Sequence, residues 1–372
     1  MRTITTSNYT MQYPNATHFA FVPAIINFIN VGAYKQASVT VQSMANRRLY
    51  NEKREVFDGK VSFDIQRAIQ MCFDDNERAH IDYSKAFNDS PLKHTVRVIA
   101  MLTREDGVNT NIDAFLIDAL WGTIRVGESS GGAMRRRWFV NYPFTIDVFT
   151  KFGDEFDITV DGGRSEGVIF YNQEEDATGA TVFRRALLAP AQIFDPTPTN
   201  TKIHIALPHG IVLQDDNESI GLTAYTLDID RSEASANNVY LRWVDNQGRY
   251  CYYLFKAQGE SYEYTANEWM HNAQGVPTAY VDGLNIGDGA RQAFAQGRAM
   301  TIGARLADAQ TLSLLLSLNG SPLIDMFVGY DENDAPKWQR VHIAPSKFER
   351  TTKSLQDYTA QIIFPTANLQ SL

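Results

Sequence analysis

The sequence predicts a mainly β chain built from two β-sandwich or jelly-roll-like domains with a few short helices. Aromatic residues reach 12%, with 21 Phe and 17 Tyr, and such side chains suit a pleated, half-buried surface. Strand-like runs are broken roughly every ten residues by turn signals, among them Asn141-Tyr142-Pro143, Gly153-Asp154 and Asp161-Gly162-Gly163. The strand–helix alternation of a doubly wound fold does not occur.

A chain of 372 residues exceeds one ordinary core, which implies more than one domain. Residues 1–18 are rich in Thr, Asn and Tyr without a period, the pattern of an extended N-terminal arm. Strand signals begin at Phe19-Ala20-Phe21-Val22 and Ile25-Ile26-Asn27-Phe28-Ile29, and Val39 and Val41 mark one face of the next strand. After Lys60-Val61-Ser62-Phe63-Asp64-Ile65 the spacing lengthens, and Ile65, Ile69 and Cys72 or Phe73 predict a short helix. Strands resume at 95–102, 114–126, 137–149, 156–160 and 168–171, completing a sandwich over residues 19–190.

Pro190, Pro196 and Pro198 stand among Thr and Asn. Proline removes a backbone donor and ends sheet pairing, so residues 191–201 suit a linker. The second β-rich domain, 202–372, opens with Lys202-Ile203-His204-Ile205-Ala206-Leu207. Its clearest element is a hairpin over 239–255, where the loop Asp245-Asn246-Gln247-Gly248 joins two aromatic strands. Asp308 can cap a helix carrying Leu312, Leu315 and Leu316, which Asn319-Gly320 and Pro322 would end. Strands over 338–343 and 358–364 follow.

The net charge is −9, and the sequence pI is about 5.3. An acidic balance opposes a grip on nucleic acid, which needs clustered cations to displace counterions, so no nucleic-acid partner is expected. The compact basic run Arg135-Arg136-Arg137 suits a solvated strand end or a charged interface. Two cysteines, Cys72 and Cys251, lie far apart, which argues against a disulfide scaffold and excludes a zinc site made of thiolates. The polar N-terminus lacks an apolar leader segment, and no apolar run reaches membrane-spanning length. Neither a membrane partner nor export is expected, and the chain is taken to fold in cytoplasm.

Catalytic and metal motifs are weak. Gly127-Glu128-Ser129-Ser130-Gly131 fits the letters of a nucleophile elbow, but no helix follows to lift the serine over a sheet; a hairpin tip explains it better. Asp215-x-Asn217-x-Ser219 and Asp228-x-Asp230-x-Ser232 begin like calcium loops and lack the glycine and glutamate that complete one, leaving only an irregular site between strands. His204 and His209 do not have helical zinc spacing. No phosphate cradle occurs, so no cofactor, metal or catalytic residue is assigned.

The aromatic cluster Trp243, Tyr250, Tyr252, Tyr253, Tyr262, Tyr264 and Trp269 is more informative. Trp and Tyr serve cores, subunit interfaces and sugar platforms alike. Core plus subunit contact is the preferred reading. The alternative is a carbohydrate-binding module that recognises a host-surface glycan, with Trp243, Tyr253 or Trp269 as stacking platforms. A hydrolase stands third.

Three pieces carry a resemblance. The hairpin Tyr240-Leu241-Arg242-Trp243-Val244-Asp245-Asn246-Gln247-Gly248-Arg249-Tyr250, with Tyr252-Tyr253-Leu254-Phe255, is similar to one in proteins of phages and prophages of gut Bacteroidetes. So are Arg137-Trp138-Phe139-Val140-Asn141-Tyr142-Pro143-Phe144-Thr145 and the closing Asp357-Tyr358-Thr359-Ala360-Gln361-Ile362-Ile363-Phe364-Pro365. Together they span less than a third of the chain, and they are structural strands. The resemblance implies a virion component of the tail, baseplate or neck, assembled in the host cytoplasm and partnered by copies of itself and by other virion proteins. Rings form when one heterologous contact repeats and closes. The residues expected to make subunit contact are Tyr9 and Tyr13 in the arm, Arg135, Arg136 and Arg137, and Asn246 and Arg249 at the hairpin tip.

Overall fold

The computed structural model describes residues 1–73, 81–123, 132–150, 153–161, 165–170, 184–208, 211–212, 219–220, 222–233, 235, 237–270, 280–281, 284–285, 291–306, 309–345, 348–349, 356–364 and 367–369. The chain is mainly β and sandwich-like, as its sequence predicts. It divides into two compact units. Unit 1 comprises Met1–Glu233, Val244–Cys251 and Glu332–Pro336; unit 2 comprises Ala234–Trp243, Tyr252–Asp331 and Lys337–Leu372.

Through residue 120 the strands are β1 (Arg2–Thr5), β2 (Thr10–Tyr13), β3 (Thr17–Phe19), β4 (Ile25–Ile29), β5 (Tyr34–Ser43), β6 (Arg48–Glu55), β7 (Val61–Asp64), β8 (Phe87–Asp89), β9 (Lys93–Arg104) and β10 (Asn109–Leu120), with helix α1 (Gln66–Gln70) after β7. Two sheets result, ordered β1-β2-β4-β7 and β3-β10-β9-β5-β6. They pack through alternating apolar side chains: Met11, Ile26, Phe28 and Phe63 from the first, and Val39, Val41, Val98 and Ile117 from the second, all fully buried. Tyr13 of β2 meets Phe115 of β10 at 4.5 Å between ring centroids, and burial of such rings is the main favourable term in the sandwich. Helix α1 places Ala68 and Ile69 inward, close to the segment that its sequence spacing predicts.

The N-terminal segment departs from the expected arm. Arg2–Thr5 pairs antiparallel with Thr10–Tyr13, and β2 pairs onward to β4. Thr and Asn dominate its composition, yet Met11 and the half-buried Tyr9 and Tyr13 supply the apolar face that a sheet edge needs.

A second sandwich follows within unit 1. Its strands are β11 (Gly132–Phe139), β12 (Ile146–Thr150), β13 (Glu155–Val160), β14 (Ser165–Phe170), β15 (Arg184–Leu188), β16 (Lys202–Ala206), β17 (Ile211–Val212), β18 (Ser219–Ile220) and β19 (Leu222–Asp230). The sheet β11-β19-β16-β13-β14 faces the sheet β12-β15-β8, and β17 pairs with β18. Between the two larger sheets lie Phe156, Ile158, Ile203, Ile205 and Leu227 on one side and Val148, Ala186 and Leu188 on the other. Phe87 meets Phe156 at 5.4 Å, and the Tyr225 hydroxyl donates to the Asp147 carbonyl at 3.0 Å.

The boundary expected at 191–201 therefore falls elsewhere. Residues 202–206 pair with β13, on the far side of the prolines. Those prolines mark the crossing between two sheets of one sandwich, where pairing must stop, and unit 1 continues to Glu233.

Asp161 secures that crossing. It sits at φ +49° and accepts hydrogen bonds from the Thr201 amide at 2.9 Å, the Thr201 hydroxyl at 2.7 Å and the Lys202 amide at 2.7 Å. These donors, led by the Thr201 hydroxyl, lower its carboxyl to about 2. A carboxyl whose folded value lies below its unfolded one stabilises the fold above the unfolded value, and that stabilisation is lost as pH falls through the folded value. We expect the melting temperature to drop between about pH 4 and pH 2, with a shallower drop in Asp161→Asn. Differential scanning calorimetry across that range checks this; parallel profiles would contradict it.

Unit 2 holds most of β20 (Asn238–Val244), β21 (Tyr250–Met270), β22 (Tyr280–Val281), β23 (Leu284–Asn285), β24 (Arg291–Leu306), β25 (Ile324–Tyr330), β26 (Pro336–Ile343), β27 (Gln356–Ile363) and β28 (Ala367–Leu369), with helix α2 (Ala309–Leu318); the hairpin tip Val244–Cys251 and the segment Glu332–Pro336 count with unit 1. Its main sheet runs β21-β20-β25-β26-β27-β24-β28, and β21 also pairs with β24, so the strand order closes into a ring. Closure removes the edges of most strands. Ile302, Tyr358, Ala360 and Ile362 alternate inward, while α2 buries Leu312, Leu315 and Leu318. Asp308, the expected helix cap, lies outside the described residues. The Trp243 indole N–H donates to the Ser317 hydroxyl at 2.9 Å, tying α2 to β20.

Both cysteines are held as neutral thiols by burial, which pushes Cys72 up to about 11 and Cys251 further still.

Candidate interaction surfaces

The residues expected to make subunit contact are mostly engaged within the chain. Tyr9 packs edge-on against Tyr34 and Tyr13 tilts against Phe115, so neither belongs to a free arm. The arginine run lies on β11, which pairs in parallel with β19. That register sets Arg135 opposite Thr226 and Arg137 opposite Asp228. Arg135 reaches diagonally to Asp228 through two nitrogens, and Arg137 lies 3.8 Å from Asp230. The two aspartates of the Asp228-x-Asp230-x-Ser232 motif thus answer arginines, and Asp230 also accepts from the Ser232 amide at 2.9 Å. This replaces both the free basic patch and the calcium reading at that motif. Arg136 donates to the Arg135 carbonyl at 3.2 Å.

The hairpin tip folds inward on its own unit. Asp245 accepts hydrogen bonds from the Gln247 and Arg249 amides and from Arg249 Nε, all at 2.9 Å. Arg249 is thereby largely buried in an ion pair rather than presented to a neighbour. Asn246 has an exposed side chain, but its carbonyl accepts from the Thr123 amide at 2.8 Å. The Tyr250 amide donates to Asp147 at 2.7 Å.

The proposed sugar platforms fare similarly. Trp243 is 1% exposed and Tyr253 4%, and a ring that stacks on a sugar must present a face to solvent. Trp269 belongs to β21, but its side chain lies outside the described residues. Ser129, Asp215, Asn217 and His209 also lie outside them. Among the described residues no group of three His, Cys, Asp or Glu side chains is placed to hold a metal ion, and no helix is long and apolar enough to cross a membrane.

Two surfaces missed in the sequence stand out, both in unit 2. The first is the distal part of β21. The hairpin with β20 ends where the Ala257 amide donates to the Asn237 carbonyl at 2.8 Å. Beyond that point, among the described residues, β21 pairs with β24 alone, through to Met270. From Gln258 to Tyr264 every residue is exposed, both alternating sets included. Tyr262 and Tyr264 are 52% and 62% exposed. The segment is ordered by cross-strand contacts: Arg298 donates to Glu260 at 2.7 Å, and so does the Tyr262 hydroxyl. These donors, Arg298 first, hold the Glu260 carboxyl below its usual range. At about 3.3 Å per residue, residues 259–270 present an edge about 40 Å long to which no other described strand is paired.

The second surface joins three strands. Arg242 on β20 faces Asp325 on β25, with Nη2 2.9 Å from Oδ2. Arg340 on β26 approaches the other oxygen of Asp325, with Nε at 2.7 Å. The Arg242 guanidinium lies 4.2 Å from the centre of the Trp338 ring. Tyr240 stacks with Tyr252 at 6.1 Å, and Phe327 meets Trp338 edge-on at 5.6 Å. Arg242 is 1% exposed, whereas Trp338 and Phe327 are half-buried and Tyr330 is exposed. A signal for this cluster did exist in the sequence: Trp338 and Arg340 are two apart on a predicted strand, hence on one face.

Neither a family model nor a curated protein matches this chain. Solved structures similar to parts of it include dimeric latent PorU from Porphyromonas gingivalis, at 12% identity and a TM-score of 0.18, covering 65% of this chain and 28% of that one. Another is the Drosophila OTK extracellular domains 3–5, at 10% identity and a TM-score of 0.19, covering 80% and 93% respectively. The chain thus spans less than a third of the PorU chain.

Proposed function

We propose that this protein is a structural component of a phage virion, in the tail, baseplate or neck, that works by packing against copies of itself and other virion proteins rather than by catalysis. The observation that carries this reading is the long edge of β21. Soluble proteins shorten, cover or charge their sheet edges because an unpaired edge is a template for another strand. Here a long edge has no further partner strand among the described residues and carries exposed tyrosines, residues enriched at interfaces. The three sequence pieces that resemble phage proteins support the setting, with assembly in the host cytoplasm.

A second copy fits this edge. Antiparallel self-pairing centred on Tyr262 would set Glu260 opposite Tyr264 and Ser261 opposite Glu263, so no two carboxylates would face each other. Self-pairing of one identical edge is isologous, and main-chain hydrogen bonds would supply the affinity, as in other strand additions.

The test is solution mass by light scattering, with negative-stain imaging of the peak. A dimer or larger even multimer is expected. Tyr262→Lys would place two ammonium groups opposite each other and should weaken association about tenfold. A monomeric wild type at every accessible concentration, or an unchanged multimer in Tyr262→Lys, would count against the edge as the contact.

A further inference from the structure

We infer that the face of the β21–β24 ribbon bearing Tyr262 and Tyr264 binds a neutral oligosaccharide. Residues two apart on a strand share a face, so Glu260, Tyr262 and Tyr264 stand in one row along β21. The antiparallel register sets Arg298 opposite Tyr262 and Gln296 opposite Tyr264. Both phenols are tied at their tips. The Tyr262 hydroxyl donates to Glu260 at 2.7 Å, and Gln296 Nε2 donates to the Tyr264 hydroxyl at 3.2 Å. More than half of each tyrosine stays open to solvent, 52% and 62% respectively. A tethered side chain gives up little freedom when a ligand settles on it, and an exposed phenol ring accepts the apolar face of a pyranose. The two Cα atoms stand about 7 Å apart along the strand, a spacing that suits two linked sugar rings rather than one.

The polar groups of the same face fit sugar hydroxyls. Arg298 Nη2 donates to Glu260 Oε1 at 2.7 Å. The guanidinium lies 4.5 Å from the centre of the buried Phe364 ring, which steadies it from below. Both charged partners remain accessible, with side chains 42% and 33% exposed. Among the described residues no acceptor is bonded to Arg298 Nη1, and each Glu260 oxygen takes one hydrogen bond and keeps room for a second. A donor beside an acceptor is what two neighbouring hydroxyls require, one accepting from the guanidinium and the other donating to the carboxylate. The pair cancels its own charge and the other members of the row are uncharged. An ionised ligand therefore gains no net attraction here, which selects a neutral sugar over a phosphate or carboxylate.

Strand pairing at the edge of β21 would use main-chain groups and leave this face outward, so the site does not rest on the assembly reading. The full chain would be titrated by calorimetry with cellohexaose, xylohexaose, mannohexaose and maltohexaose, with glucose, and with hexathymidylate as an anionic stacking probe. At least one hexasaccharide should bind saturably, and more tightly than glucose or the nucleotide. Tyr264→Ala should weaken it about tenfold, the loss of one aromatic platform. Tyr264→Phe keeps the ring and should stay within about twofold of the wild type. Circular dichroism would confirm the fold of both variants. No saturable binding of any hexasaccharide, tighter binding of the nucleotide, or unchanged affinity in Tyr264→Ala would each overturn the inference. Light scattering on the same samples separates the two readings. A monomer that binds sugar would sink the edge contact alone, and a multimer that binds none would sink this site alone.

Discussion

Asp325→Asn should be among the most damaging conservative substitutions in unit 2, costing about 3–5 kcal/mol. Arg242 is almost wholly buried and has its countercharge in Asp325. Removing that charge breaks a buried ion pair in a medium that solvates the guanidinium poorly. The cation–π contact with Trp338 is worth only about 2 kcal/mol when desolvated and cannot replace it. Arg340→Gln should cost less than about 1 kcal/mol, because Arg340 is partly exposed and water compensates its loss. Replacing Arg242 and Asp325 together by Met and Leu should recover most of the stability, since a buried pair contributes little over well-packed apolar groups. Hydrogen exchange read by mass spectrometry would localise the change. Asp325→Asn should speed exchange in peptides from β20, β25 and β26. Equal effects of Asp325→Asn and Arg340→Gln would contradict a dominant role for the buried Arg242–Asp325 pair.

How far the sequence could be read follows from which forces act locally. The 239–255 hairpin was legible because its turn residues and its aromatic strands are contiguous, and the short helix after Asp64 was legible from the spacing of Ile65 and Ile69. The ion pairs of Arg135 and Arg137 were not. They depend on a parallel strand more than ninety residues away, and parallel pairing leaves no turn signal to announce it. The prolines near residue 195 were correctly seen to end pairing, but the same chemistry ends a strand inside a sandwich and between domains.

The aromatic cluster shows the limit most clearly. Tyr252, Tyr253 and Phe255 are buried, whereas Tyr262 and Tyr264 are exposed, on one continuous strand. Ring count does not distinguish them, but their neighbours do. Cys251-Tyr252-Tyr253-Leu254-Phe255 has no polar interruption, as a strand covered on both faces requires. Glu260-Ser261-Tyr262-Glu263-Tyr264 has polar residues on both faces, which a core would not tolerate without partners. That contrast was the available sign that the strand parts from β20 before residue 260.

Gly122→Ala should destabilise unit 1 by about 2–5 kcal/mol. Gly122 has φ +149°, and a Cβ there would stand 2.9 Å from both the carbonyl carbon and oxygen of Gln247. Those are backbone atoms, fixed because the tip is anchored from three sides: Asn246 accepts from Thr123, the Tyr250 amide donates to Asp147, and Asp245 closes the turn on Arg249. No flexible side chain is available to yield, so the tip itself would have to move. Gly107→Ala separates crowding from backbone strain. Gly107 has φ +81° with nothing within 4 Å of the added carbon, so only the conformational penalty applies, about 1–2 kcal/mol. Chemical denaturation of the two variants should therefore differ by more than their φ values explain, and exchange should rise at the Thr123 and Tyr250 amides in Gly122→Ala alone. Equal losses would mean that the tip is not packed on Gly122, and that Asn246 and Arg249 are more accessible to a neighbouring subunit than their hydrogen bonds imply.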